Sequence, residues 1–188
     1  TDREVGQLVK DLKESGNLDD TLLIITADHG ELLLERKGEF GHSSNWYDPL
    51  ARVPLIFHYP KKIKPVRENS LCELIDLGPS LLKLMDVDLP EGKVADGSDL
   101  MAVADGLQLH EDAAYIKGGL RTLQYKCLFQ SPVSTILSEE TMGSNRLNGE
   151  LYDLVGDPDE TNNIFRSEPE IVMELLNFYR KRMASKHI

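Results

Sequence analysis

Thr21-Leu-Leu-Ile-Ile-Thr-Ala-Asp-His-Gly-Glu31 is the stretch on which the fold turns. Leu22 to Ile25 is a short bounded apolar run ending in β-branched residues, the pattern of a buried strand in a parallel sheet. It stops at Asp28-His29-Gly30. Open α/β sheets collect their chemistry just outside the carboxyl ends of strands. A carboxylate and an imidazole side by side there can both reach one metal ion, and Gly30 lets the chain turn with no Cβ in the way. The tripeptide also has a plainer reading: Asp28 as a helix cap and His29 as a hydrogen-bonded surface residue. The rest of the chain has to decide between them.

Upstream, Val5, Leu8, Val9 and Leu12 recur at helical spacing, with Asp2 as a candidate cap and Gly16-Asn17 as the stop. A helix followed closely by a strand is half of a βαβ unit. Downstream, Glu31 to Lys37 reads as a short helix or loop, and Gly38 to Asn45 as a surface loop carrying His42 between Gly41 and Ser43. Taken alone, that segment favours an ordinary exposed histidine. Trp46 to Leu50 reads as a helical turn with Asp48 as cap and Pro49 at the first helical position. Glu31 is assigned to capping in the same way, and Arg52 to a buried structural edge. Val53-Pro-Leu-Ile-Phe57 is a second buried strand. Leu71 to Ile75 is a short extended piece. Leu77 to Met85 is an amphipathic helix capped by Asp76, and Val87 to Gly106 is a loop with one weak helical turn.

The character changes near Gly106. Ala113 to Lys117 and Leu120 to Phe129 read as antiparallel strands about Gly118-Gly119, and Gly149 to Leu154 as another strand. Ser131 to Asn148 reads as loop, with a turn at Met142 to Asn145. Asp157 to Asn162 is a strong turn signal. Ile171, Leu175, Leu176, Phe178, Tyr179 and Met183 give a terminal amphipathic helix, and Tyr125 and Tyr152 are assigned to the core. The expected fold class is therefore α/β for residues 1–106, joined to a small α+β subdomain, residues 107–188, of antiparallel strands and a terminal helix.

The 188 residues carry 21 basic and 32 acidic side chains, a net charge of -11. That disfavours non-specific binding to nucleic acid or to an anionic membrane face. It leaves anionic substrates open, because a bound cation reverses the sign locally. No apolar run reaches bilayer length, so no membrane segment is expected. Cys72 and Cys127 lack a zinc-type spacing, and their apolar neighbours suggest buried free thiols. The chain starts at Thr1, without Met, directly on a helical pattern, which suggests a truncated or processed chain.

Five stretches agree in order and cover nearly the whole chain: Gly16 to Glu31; Gly41-His42 with Tyr47 and Arg52-Val-Pro-Leu-Ile56; Ile75 to Met85 with Pro90 and Asp96-Gly97; Leu120-Arg-Thr-Leu-Gln-Tyr-Lys126; and Glu150-Leu-Tyr-Asp-Leu-Val-Gly-Asp-Pro-Asp-Glu-Thr-Asn162. Together they resemble the carboxyl-terminal portion of the sulfatase family, in the alkaline phosphatase superfamily. The resemblance implies an alkaline-phosphatase-like sheet and hydrolysis of sulfate esters, small-molecule or glycan, by the full-length enzyme. It implies Asp28 and His29 as metal ligands, and His42 as the residue that contacts the substrate's anionic group or leaving oxygen. A divalent ion is expected, with Ca²⁺, Mg²⁺, Mn²⁺ and Zn²⁺ all open. The family's formylglycine arises in a Cys-x-Pro-x-Arg type motif that neither Cys72 nor Cys127 matches, so it is expected only in an amino-terminal part outside this chain. This segment alone is then expected to be inactive. Many arylsulfatases have Asp-Asn where this chain has Asp28-His29. The histidine is shared with some glycan sulfatases and with phosphonate or phosphodiester hydrolases. Two alternatives stay open: a phosphodiesterase or phosphonate monoester hydrolase on the same scaffold, and a non-catalytic module that binds anionic ligands.

Overall fold

The computed structural model describes residues 1–35, 38–42, 46–105, 113–131, 136 and 147–185. Helix α1 spans Asp2–Glu14. Its cap is Thr1, whose carbonyl accepts from Glu4 N and Val5 N, so Asp2 is the first helical residue and not the cap. After a 3-10 turn at Leu18–Asp20, strand β1 covers Leu23–Ile25. It pairs with β4, Ile56–His58, in register Leu23↔His58 and Ile25↔Ile56.

That pairing corrects the parallel, buried assignment: the two strands run antiparallel and none of their residues is fully buried. An apolar run shows that a strand wants cover but does not fix its partner's direction. Here β1 and β4 form a two-stranded ribbon, and α1 likewise has no buried residue.

Between them lies a second correction. Leu32–Leu33 is strand β2, paired antiparallel with β3, Phe40–Gly41, where a helix or loop was expected. Leu32 is fully buried and anchors this small hairpin. Glu31 is exposed and precedes a strand, so it caps no helix. Helix α2, Asp48–Ala51, follows with Tyr47 as its N-cap. Arg52 is exposed rather than buried. A 3-10 turn at Leu74–Asp76 replaces the extended piece and leads into α3, Leu77–Leu84. Asp76 sits at the N-cap of α3, but its buried carboxylate accepts from Glu73 N and Ser98 N and not from the helix. The weak turn is α4, Leu100–Ala104, capped by Asp99. The division placed at 106/107 falls outside the described residues.

The second half is a four-stranded antiparallel sheet in chain order: β5 Ala114–Ile116, β6 Gly119–Arg121, β7 Tyr125–Phe129 and β8 Gly149–Asp153. The single strand expected over Leu120 to Phe129 is two, because Thr122 N and the Thr122 hydroxyl both bond Tyr125 O and turn the chain. Helix α5, Pro169–Ser185, covers one face. Side chains alternate along a strand, and the alternation sorts this sheet into two cores. Leu120, Cys127, Phe129 and Leu151 face α5, with Val172, Leu175, Leu176 and Tyr179. Leu128, Tyr152 and Leu154 face the other way and receive Tyr47 and Trp46.

Both cysteines are free, but only Cys127 is buried; Cys72 is exposed, against expectation. Burial pushes the Cys127 thiol far above its ordinary range. Apart from Ser131, Ile136, Leu147 and Asn148, the loop expected over Ser131 to Asn148, including its turn at Met142 to Asn145, lies outside the described residues. No helix among the described residues is long and apolar enough to cross a membrane.

Candidate metal and substrate site

The site starts with the turn after β1. Gly30 N donates to Leu50 O at 2.8 Å, which docks the turn onto α2. A Cβ on Gly30 would lie 1.9 Å from Pro49 O, so only glycine permits this approach. His29 is held locally. Its Nδ1 lies 2.7 Å from Gly30 O, and a carbonyl only accepts, so Nδ1 carries the proton in that bond. In the neutral ring Nε2 then keeps its lone pair, and it lies 3.7 Å from Asp28 Oδ2. The other Asp28 oxygen accepts from His29 N at 3.0 Å. The Asp28 side chain is 88% exposed and the His29 side chain 33% exposed.

His42 arrives by way of the β2–β3 hairpin. The pairing Leu32↔Gly41 makes residues just before β2 and just after β3 neighbours at the hairpin's open end. Gly41, at φ 84°, supplies the left-handed turn there. The His29 and His42 rings stand edge to face, centroids 4.5 Å apart at 71°. Asp28, His29 and His42 are thus gathered at one corner.

Do these groups suit a metal? Two donors at about 2.1 Å from one tetrahedral ion sit roughly 3.4 Å apart. The 3.7 Å between Asp28 Oδ2 and His29 Nε2 is close to that spacing. A metal-binding histidine usually donates its second ring N–H to a carbonyl or carboxylate, and the bond to Gly30 O has that form. The pair therefore fits half of a coordination shell. It is no more than half: among the described residues no group of three or more His, Cys, Asp or Glu could hold an ion.

The support beneath the site is a buried charge cluster that sequence reading missed. Asp48 caps nothing. Its Oδ1 accepts from Lys126 Nζ at 2.6 Å, and Arg121 approaches at 3.2 Å. Glu160 Oε1 lies 2.9 Å from Lys126 Nζ, and Glu160 Oε2 accepts from Asp48 N at 2.7 Å. The Lys126 side chain is 0% exposed. Sheet register explains the convergence: Arg121 pairs with Lys126, and Lys126 with Tyr152, all on the face that meets Tyr47. Burial alone would raise the Asp48 carboxyl, but the Lys126 ammonium and the Arg121 guanidinium outweigh it and hold it below the ordinary aspartate value. The signal was present in Tyr125-Lys-Cys-Leu-Phe129: a lysine inside an apolar strand needs a buried anionic partner.

Likenesses to known proteins extend over nearly all of these residues. The family model described as Sulfatase matches residues 1–87. N-acetylgalactosamine-6-O-sulfatase from Bacteroides thetaiotaomicron is 27% identical over 202 residues, covering 93% of this chain and 38% of its own length. A solved protein in complex with its substrate D-glucosamine-2-N,6-O-disulfate is 25% identical, with a TM-score of 0.68 over 99% of this chain and 39% of that one. The phosphonate monoester hydrolase of Agrobacterium radiobacter shares the fold, with a TM-score of 0.67 at 20% identity over 97% of this chain and 38% of that one. The chain spans less than two fifths of the length of the curated relatives it matches.

Proposed function

From its likeness to sulfatases over nearly all of its residues, we propose that the chain forms the carboxyl-terminal part of a metal-dependent enzyme of that family that hydrolyses sulfate esters of glycans. Residues 1–106 supply catalytic-domain elements and residues 107–188 the small subdomain that supports them. Asp28 Oδ2 and His29 Nε2 hold the divalent ion together with ligands from outside these residues. When bound, that ion offsets charge on the non-bridging sulfate oxygens and activates the nucleophile. A carboxylate with an imidazole suits Mn²⁺ or Zn²⁺, whereas an all-oxygen shell suits Ca²⁺ or Mg²⁺. The family's formylglycine nucleophile comes from elsewhere, as neither Cys72 nor Cys127 stands in its motif.

Within this chain, the Gly30 carbonyl keeps the His29 Nδ1 proton and so leaves Nε2 as a donor atom. His42, beside it, contacts the substrate's anionic end. In its protonated form it gives a proton to the leaving oxygen as the ester bond breaks. The glycan preference rests on the named activity of the bacterial relative and on the disulfated sugar bound by the structural neighbour.

The observation that carries this reading is the 4.5 Å meeting of His29 and His42, two residues brought together by the hairpin. The test is His29→Ala in the complete enzyme, with metal content by calorimetric titration and turnover of p-nitrophenyl sulfate. Metal affinity and turnover are expected to fall together by about tenfold or more, the range seen when metal-site residues are disturbed. Unchanged metal affinity takes His29 out of the site. Turnover of a phosphonate ester in preference to the sulfate moves the enzyme to the phosphonate branch of the same scaffold.

A further inference from the structure

Beside the charge cluster, the sheet face that receives Trp46 carries a recess the hydrolytic chemistry does not use. Leu128 and Phe129 of β7 line it, with Trp46, Lys117, Gln130 and Glu150 around them. It encloses about 60 Å³. That is well below the roughly 300–1,000 Å³ of small-molecule sites, so it suits one edge of a larger ligand and not a whole one.

We propose that this recess is a subsite for a second, anionic sugar unit of an oligosaccharide substrate. Four features carry the inference. Trp46 offers an aromatic surface against which a sugar's C–H face can pack. Glu150 is fixed in place, since its Oε2 accepts from both Tyr47 and Tyr152 at 2.8 Å and its Oε1 from Gln130 at 2.9 Å. A carboxylate has about four acceptor positions, so one remains for a sugar hydroxyl. Lys117, in the turn between β5 and β6, is exposed and makes no ion pair among the described residues; it supplies a cation for a sulfate or carboxylate. Finally, Trp46 follows His42 by four residues, so their Cα atoms are at most about 14 Å apart. A short run of sugars can therefore reach both. The assignment as a substrate subsite rests on the glycan sulfatase reading above.

Trp46 is the only tryptophan in the chain, so its fluorescence reports this recess. The probe is a chondroitin 6-sulfate tetrasaccharide titrated into the metal-stripped complete enzyme, with the Trp46→Phe variant as the blank that isolates the Trp46 signal and the desulfated sugar as control. A saturable fluorescence change is expected, weakened about three- to fivefold in Lys117→Ala and further by added salt, because an exposed charge contact is modest and screened. Glu150→Gln should also weaken it, and His29→Ala should leave it unchanged. No saturable change, an equal response to the desulfated sugar, or an unaltered affinity in Lys117→Ala overturns the subsite. Those results leave the hydrolase reading standing if His29→Ala still costs the complete enzyme its metal. Conversely, a sulfate-dependent Trp46 response with metal affinity untouched by His29→Ala keeps the anionic-sugar site and removes the hydrolase.

Discussion

Gly30 has no room for a side chain, since Pro49 O lies where a Cβ would begin. Gly30→Ala should therefore cost about 2–3 kcal/mol or more, since neither the turn nor α2 can yield without breaking the 2.8 Å bond between them. Thermal unfolding measures that loss, and metal titration should show it shared by Asp28 and His29, which the turn carries. Chemistry at His42 has its own signature. If the imidazole donates a proton to the leaving oxygen, His42→Ala should slow sugar sulfates, whose leaving groups are poor, about a hundredfold or more. Aryl sulfates, whose leaving groups need little help, should slow by less than about tenfold. An equal loss in both substrate classes would limit His42 to binding.

Elements transmit these constraints. The hairpin of β2 and β3 places His42 beside His29, and among its described residues Leu32 is the fully buried anchor. Truncation to alanine should cost about 2–5 kcal/mol and, if the hairpin frays, raise KM as His42 leaves its position. Helix α2 is held from the other side by the buried lysine of β7. Lys126→Met leaves Asp48 and Glu160 without their shared cation, a loss of roughly 3–5 kcal/mol that would lower Tm by about 10 °C in a domain of this size. Asp48 also sets an acid limit. Its folded value is depressed, so its contribution is complete above the unfolded value of about 3.9 and drains away as pH falls through the folded one. Asp48→Asn should be less stable at pH 7 yet lose less stability as pH falls below about 4. Urea unfolding at several pH values checks this, and parallel slopes would exclude Asp48 as the titrating group.

Over the whole molecule, polar contacts join the two halves alongside the small core that Tyr47 and Trp46 share with Leu128, Tyr152 and Leu154. Besides the Asp48 cluster, Tyr47 donates to Glu150, and Glu73 accepts from Tyr115 N while pairing with Arg182 of α5. The larger core belongs to the sheet β5–β8 and α5. The first half leaves Leu8 and Ile56 about half exposed, and α1, β1 and β4 contain no buried residue.

Sequence alone determined the parts whose physics is local. The spacing of Val5 to Leu12 and of Ile171 to Met183 set two helices, alternation set the later strands, and the end of an apolar run set Asp28-His29 at a turn. It also pointed to a likeness with sulfatases, because five short stretches in order are hard to meet by chance. Only the tertiary structure decided that β1 and β4 run antiparallel, that Glu31 onward enters a hairpin, and that Asp48 turns from its helix to Lys126. Each depends on a partner many residues away: Ile25 on Ile56, Leu32 on Gly41, Asp48 on Lys126 and Glu160. Propensity and periodicity describe one segment's preference for burial. The direction of a pairing or the target of a buried charge is set by what other segments present to it.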